Sequence, residues 1–260
     1  MGTLLKNKFL LDMKVLKYIV LFSMFFACDS ENTSDCFQKT GSIVQQEIVL
    51  ETFDKILVNR DVELIIKQGL EQRVIVETGK NLLNDVEISV LNNQLILTDN
   101  NSCNFVREYG VTKVYVTSPN ITEIRSSTQY DISSDGVLTY PDLVILSEDF
   151  FQTDTFTSGN FNLQIDNSSF RLVFNNLSNC FISGETNNLN ITFAAGTSRF
   201  EGRDLIAENV TIWNRSSNDM ILNPQQSLTG LISGTGDVIS VNKPPIVDVE
   251  EQYNGRLIFE

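Results

Sequence analysis

From Leu163 to Val241 a short strand-like phrase returns at a nearly constant interval. Leu172-Val-Phe174, Leu189-Asn-Ile191 and Val210-Thr-Ile212 each place two apolar side chains on one face of a strand, 17 and 21 residues apart. A second series, Leu163, Phe181, Phe200, Met220 and Val238, recurs at spacings of 18, 19, 20 and 18. Between the beats lie Asn-, Ser- and Gly-rich turns such as 175–179, 184–188, 214–218 and 233–237. A unit of roughly twenty residues is too small to bury its own apolar face, so such units must stack on one another. The pattern predicts a β-solenoid in which Leu172, Leu189, Val210, Phe181, Phe200 and Met220 point inward.

Upstream, the chain is equally strand-like. Ile56-Leu-Val58, Val62-Glu-Leu64-Ile-Ile66, Val74-Ile-Val76, Val86-Glu-Ile88-Ser-Val90 and Leu95-Ile-Leu97 are β-rich runs, with turn signals at Gln68-Gly69, Thr78-Gly79 and Asn92-Asn93. Val114-Tyr-Val116, Ile121, Ile124, Tyr130-Asp-Ile132 and Leu143-Val-Ile145 continue the series, with Pro119 and Pro141 between runs, where no ladder donor is lost. Few stretches keep a 3.6-residue apolar period for the ten or more residues a helix needs. The fold class is therefore all-β, with at most a helical turn around Asn81–Asn84. Pro244-Pro245 is read as the end of the repeat, and residues 243–260 as a capping segment whose Arg256-Leu-Ile-Phe259 pairs onto the last rung.

The 260 residues suffice for one sizeable core, and 42% of them are hydrophobic. Asp+Glu number 33 against 19 Lys+Arg, a formal charge of −14. Without residues 1–27, which hold Lys6, Lys8, Lys14, Lys17 and Asp12, the balance is 15 against 32, or −17. A field of that sign repels phosphate backbones and argues against a nucleic-acid partner. There is no histidine. Ser-His-Asp and Cys-His catalysis and every His-ligated metal site are thereby excluded, and no catalytic residue, metal site or cofactor is assigned.

Residues 1–27 combine those four lysines with the apolar run Tyr18–Ala27, about half of what spans a bilayer as a helix. A basic region, a short apolar region and a small residue before the cut describe a secretory signal. Ala27-Cys28 resembles the lipobox of bacterial lipoproteins, whose cysteine is acylated, with Phe25 standing where that motif usually has Leu. The resemblance makes Cys28 the lipid attachment site and the membrane a partner through that anchor; the alternative is a buried N-terminal helix. Met13-Lys-Val-Leu-Lys17 is a complete basic region in itself, which makes Met13 a candidate start. Residues 28–42 form a polar tether, acidic behind Cys28. That acidity resembles the export signal that sends lipoproteins to the outer face of some Gram-negative envelopes, a plain solvated linker being the alternative.

Phe53-Asp-Lys-Ile56, Asp61-Val-Glu-Leu64 with Gln68-Gly69, Val74-Ile-Val-Glu77, Asn81-Leu-Leu83, Leu95-Ile-Leu97 and Gly234-Thr-Gly-Asp237 together resemble the head GIN domain of auto-transporter adhesins. The resemblance covers residues 43–242. It implies a right-handed, single-stranded parallel β-helix, here with a more irregular β-rich N-terminal section, on an outer-membrane lipoprotein. It implies a surface-displayed binding or adhesion role, and it carries over no catalytic residues.

Beyond Cys28 the chain has Cys36, Cys103 and Cys180, which allow one bridge. Cys180 sits inside a rung and reads as a small buried hydrophobe. Cys36 and Cys103 flank the first β-section in polar segments and are expected to pair as a disulfide, two free thiols on loops being the alternative. Gly234-Thr-Gly-Asp237 reads as a tight corner using the glycine freedom at positive φ, since a single copy without a following helix or Lys is weak as a phosphate or calcium loop. If the lipobox resemblance makes the protein bacterial, its Asn-x-Ser/Thr triplets mark corners rather than glycan acceptors.

Arg199-Phe-Glu201-Gly-Arg203-Asp204 is the densest charged cluster of the repeats. It reads as a solvated ladder of paired charges, and under an alternative reading as the carboxylate cluster of a polysaccharide-active enzyme. Outward neighbours of the stacked positions, among them Arg199, Glu201 and Trp213, form the candidate binding face toward a glycan or a surface protein. Trp213, the only tryptophan, offers either a flat surface to a sugar ring or a rung-edge residue packed beneath a loop. The expected function is a non-catalytic binding module on the cell surface, the alternatives being a polysaccharide lyase or hydrolase and a structural spacer of the envelope.

Overall fold

Alternating apolar and polar residues become strands almost everywhere in the computed structural model, which describes residues 35–101, 103–150 and 154–260. The expected signal segment, Cys28 and the expected tether as far as residue 34 lie outside the described residues. The first section holds β1 (Ile43–Ile48), β2 (Lys55–Val58), β3 (Glu63–Gln68), β4 (Arg73–Gly79), β5 (Val86–Leu91) and β6 (Gln94–Asp99). It continues with β7 (Lys113–Ser118), β8 (Glu123–Ser126), β9 (Ile132–Leu138) and β10 (Asp142–Ser147). The second holds β11 (Phe161–Phe174), β12 (Cys180–Phe193), β13 (Phe200–Asn214), β14 (Met220–Ile232), β15 (Val238–Ser240), β16 (Ile246–Glu251) and β17 (Leu257–Phe259). All belong to one sheet, and no α-helix occurs among the described residues. The expected helical turn is a 3₁₀ turn at Leu83–Asp85.

The pairings sort into two lanes. In lane A, β6, β2, β8 and β10 are followed by the second halves of β11 to β14 and then β16. In lane B, β7, β3 and β9 are followed by the first halves of β11 to β14, then β15 and β17. Every one of these pairings is parallel. Each rung is one lane A strand and the lane B strand that follows it in sequence, which is why residues about twenty apart lie side by side.

The first section departs from sequence order and from purely parallel pairing. The β6–β7 rung lies on the far side of the β2–β3 rung, opposite β8–β9, although it comes between them in the chain. Antiparallel strands close that end: β5 pairs with β6 across Asn92-Asn93, and β4 lies between β7 and β1. Asn92 and Asn93 have φ of 51° and 66°, the left-handed pair that a two-residue hairpin of matching twist requires.

Between the lanes lies the core. Ile56, Val58, Leu64, Ile66, Leu95 and Leu97 fill it at one end, and Leu205, Val210, Leu228 and Ile232 at the other, all fully buried. Phe161, Phe174 and Phe193 stack through it with centroid separations of 5.2 and 5.8 Å.

The register corrects the sequence-derived beats. Phe170, Leu189, Val210 and Leu228 form one column and Leu172, Ile191 and Ile212 the next, so the 17-residue interval from Leu172 to Leu189 is two residues out of register. On lane B the stacked series is Phe161, Cys180, Phe200, Met220 and Val238; Phe181 faces outward and is 42% exposed. Cys180, fully buried and unbridged, fills the inward place, and burial pushes its thiol pKa up.

Gly234 and Gly236 do not use positive φ. They are needed for close approach: a Cβ would lie 2.3 Å from the Ser216 carbonyl oxygen and 1.9 Å from that of Asn218. Nor does the ladder break at Pro244-Pro245. β16 pairs with β14 from Ser227↔Ile246 onward, and Leu257–Phe259 continues lane B against β15 as expected.

Candidate functional site

From β12 onward, the residue just before each lane B strand forms a column at the corner: Asn179, Arg199, Asp219, Asp237 and Arg256. A short side-chain oxygen there can accept the backbone N–H of its counterpart one rung on. Asn179 accepts from Arg199 (3.0 Å), Asp219 from Asp237 (3.2 Å) and Asp237 from Arg256 (2.8 Å). Arg199 has no acceptor to offer, and the Asp219 N–H turns instead to Asn218 Oδ1 (2.9 Å). The Arg199 guanidinium is spent locally, on Glu201 Oε1 (2.5 Å), Asn218 Oδ1 (3.2 Å) and Asp219 Oδ2 (3.3 Å). The charges of this cluster therefore pair across the surface.

Beside that column lane B loses its regular register, and a groove opens. Between β9 and β11 the pairing jumps from Ser133↔Asn162 to Val137↔Gln164, so Leu163 alone faces Ser134, Asp135 and Gly136. Between β12 and β13 it jumps from Phe181↔Glu201 to Ser183↔Asp204, so Ile182 alone faces Gly202 and Arg203. β13 slips again against β14, between Glu201↔Ile221 and Ile206↔Asn223. Extra residues on one strand must arch out of the sheet, so the two bulges stand as walls on either side of the β11–β12 pair. Ser134 Oγ accepts the Gln164 N–H (2.9 Å), replacing a ladder partner lost at the first bulge.

The resulting groove has a volume of about 600 Å³. Its floor carries Asn162, Gln164, Phe181 and Ser183, and its far wall Glu201, Arg203 and Asp204. Most of its charge is neutralised. Glu201 is held by Arg199, and Arg203 meets the Glu260 carboxylate in a two-pronged contact of 2.5 and 2.9 Å. That hydrogen bond holds the Glu260 carboxyl below the usual carboxylate range and raises the Arg203 guanidinium. Asp204 is exposed, with no hydrogen-bond or ion-pair partner among the described residues.

Of the sequence-derived face, Glu201 lines the groove and Arg199 braces it from behind, whereas Trp213 is not brought to it. Trp213 sits on lane A, 39% exposed, between Thr192 and Leu231. Its Nε1 donates to Ser233 Oγ (3.2 Å), and the Arg215 guanidinium lies 5.9 Å from its ring centroid. Phe181, Gln164 and Asp204 were missed as a group. One signal was available: Phe200 and Leu205 are both apolar and buried although five residues apart, an odd interval that breaks the two-residue alternation of a strand and fits the bulge between them.

Cys36 and Cys103 form a disulfide. It fastens the segment ahead of β1 to the loop between β6 and β7. The Phe105 N–H donates to the Cys36 carbonyl (2.9 Å), and the Phe37 and Phe105 rings lie 5.7 Å apart. Among the described residues no cluster of three or more Cys, Asp or Glu is placed to hold a metal ion.

No curated protein matches the sequence. Among the solved structures that share the fold, three are similar to this chain at identities that speak to fold alone. A "putative adhesin" from Bacteroides fragilis NCTC 9343 superposes with a TM-score of 0.75 at 17% identity, over 85% of this chain and 99% of that one. A "putative lipid binding protein" from Parabacteroides distasonis ATCC 8503 gives 0.57 at 14% identity over 84% and 97%. A "putative adhesin" from the same strain gives 0.54 at 17% identity over 85% and 99%. The family described as "Putative auto-transporter adhesin, head GIN domain" matches residues 52–244, and the chain belongs to it.

Proposed function

We propose that this chain is a non-catalytic, adhesin-like binding protein of a Gram-negative cell envelope, held at the outer membrane by a lipid on Cys28. In this reading its two lanes wind as a right-handed, single-stranded parallel β-helix, and the outer face of lane B meets the partner. The observation that carries it is the groove between the two bulges. A regular rung presents a flat ladder of side chains, whereas this groove combines a walled recess, an exposed ring and hydrogen-bonding groups whose charges are compensated except at Asp204.

The pairing of charges supports binding over hydrolysis. A glycosidase needs two carboxylates free to act on either side of the scissile bond. Glu201 is tied to Arg199, which leaves Asp204 as the groove's one uncommitted carboxylate among the described residues. An acyl chain as ligand would want an apolar cavity, and the Phe161, Phe174 and Phe193 rings already fill the space between the lanes.

Fractionation of cells producing the full chain tests the anchor. Cys28→Ser is expected to move the protein from the membrane to the soluble fraction, and unchanged membrane association overturns the lipid. Incubation of the purified chain with a panel of polysaccharides tests the rest. Turnover that is abolished by Asp204→Asn would replace the binding module with an enzyme.

A further inference from the structure

We propose that the lane B groove holds an uncharged oligosaccharide, with one sugar ring stacked on Phe181 and its hydroxyls bonded by Gln164, Ser183 and Asp204. This rests on the binding reading above and names the class of ligand.

Three features of the groove point to a sugar. First, the groove sets one aromatic face among the planar amides of its floor and the carboxylates of its far wall. A pyranose presents an apolar C–H face and a rim of hydroxyls that are both donors and acceptors, so a ring beneath it and side-chain oxygens and amides around it satisfy both at once. Phe181 lies between Asn162 and Glu201 across the sheet, so its exposed ring is bordered by polar groups rather than by an apolar patch. A protein partner would ask for more: a standard interface buries about 800 Å² on each side around an apolar centre.

Second, the dimensions suit a short chain of sugars. The groove crosses from β9 to β13, three inter-strand steps, or about 14 Å. The two bulges bound that span, so a ligand lying across the strands would be held at both ends.

Third, the electrostatics choose among sugars. The guanidinium in the groove, that of Arg203, is engaged by Glu260, Asp204 is unopposed, and the chain carries −14 overall. Uronates, sulfated sugars and sialylated chains would meet a field of their own sign. Gln164 has its backbone N–H pinned by Ser134 while its side-chain amide has no protein partner among the described residues, so it is available to a hydroxyl.

The test uses the full chain solubilised in mild detergent and an array of neutral and acidic oligosaccharides, with binding of each hit then measured by calorimetry. Expected is binding of a neutral oligosaccharide that resists added salt, weakens about tenfold or more in Phe181→Ala, weakens again in Asp204→Ala, and is unchanged in Trp213→Ala. Both groove positions are exposed, and near-identical circular dichroism of the variants confirms that folding is intact. Binding of acidic glycans only, or neutral binding lost in Trp213→Ala but kept in both groove variants, overturns the assignment. Absence of any oligosaccharide, together with a protein partner whose capture is lost in Phe181→Ala, overturns the sugar and leaves the binding reading standing. If neither groove variant alters the binding of any ligand, both fall.

Discussion

Lane A and lane B are made by the same rungs, and in β11 to β14 by the same strands, yet they differ in one respect. From β10 to β16 the lane A register runs without a shift, each pairing keeping one offset along its length. Lane B slips between β9 and β11, between β12 and β13, and between β13 and β14. Regular stacking satisfies the backbone and buries the core, and it leaves a flat outer surface. The irregular lane gives up ladder bonds in places and gains relief, and relief is what a small ligand requires. Trp213, large and exposed, is the more conspicuous residue in the sequence, but it stands on the flat side.

The comparison can be broken most severely by inserting one residue. An extra Ala after Thr211 would turn the inward Ile212 and Asn214 outward and drive Trp213 into the core. A loss of more than about 4 kcal/mol is expected, seen as a failure to give a cooperative melt. The same insertion between Gly202 and Arg203 falls where the strand already arches, and less than about 1 kcal/mol is expected. Equal effects of the two insertions would show that the lanes do not differ in tolerance.

A ring on each lane sharpens the contrast. Phe174→Ala removes the middle ring of the core stack and should cost about 3 to 5 kcal/mol by denaturant titration. Phe181→Ala should change stability by no more than about 0.5 kcal/mol, its effect being confined to the ligand.

A smaller effect is expected at Asp61, in the turn from the lane A strand β2 to the lane B strand β3. Burial raises its pKa, only partly opposed by the Gln129 amide donating to it at 2.6 Å. A carboxylate with a raised folded pKa penalises the fold above that pKa, and the penalty disappears as pH falls below the unfolded value. Asp61→Asn keeps a side chain that tolerates the local φ of 66° and removes the charge. It should therefore stabilise slightly at neutral pH, by less than about 1 kcal/mol with solvent screening, and not at all in acid. Melting curves at the two pH values check the sign.

The all-β class, the stacking period and the 3₁₀ turn were legible because each depends on neighbours close in sequence. Cys180 and Phe181 show the limit of such reading. Both are apolar and adjacent, alternation puts one inside and one outside, and only the register against Phe161 and Phe200 decides which. The larger residue looked like the core one and is not. The groove was illegible for the same reason: a bulge is a mismatch between two strands, so neither strand spells it alone. The β6–β7 rung was hidden because nothing in residues 94–118 states which side of β2–β3 they will join.

That misplaced rung bears on how the molecule comes to be folded. Along β8 to β17 each rung lies against the one made just before it, so the stack can lengthen as the chain emerges, by contacts of short sequence separation. At the other end this order fails. The β2–β3 pair stays open on one side until Ser118 has been made, and the strands that close that side need partners up to 50 residues distant, as Glu63↔Lys113 does. The Cys36–Cys103 bond, with a separation of 67 residues, then fastens this closure. Synthesis from the N terminus thus delivers first the part of the molecule that can be finished only after a long delay, and oxidation acts as the latch.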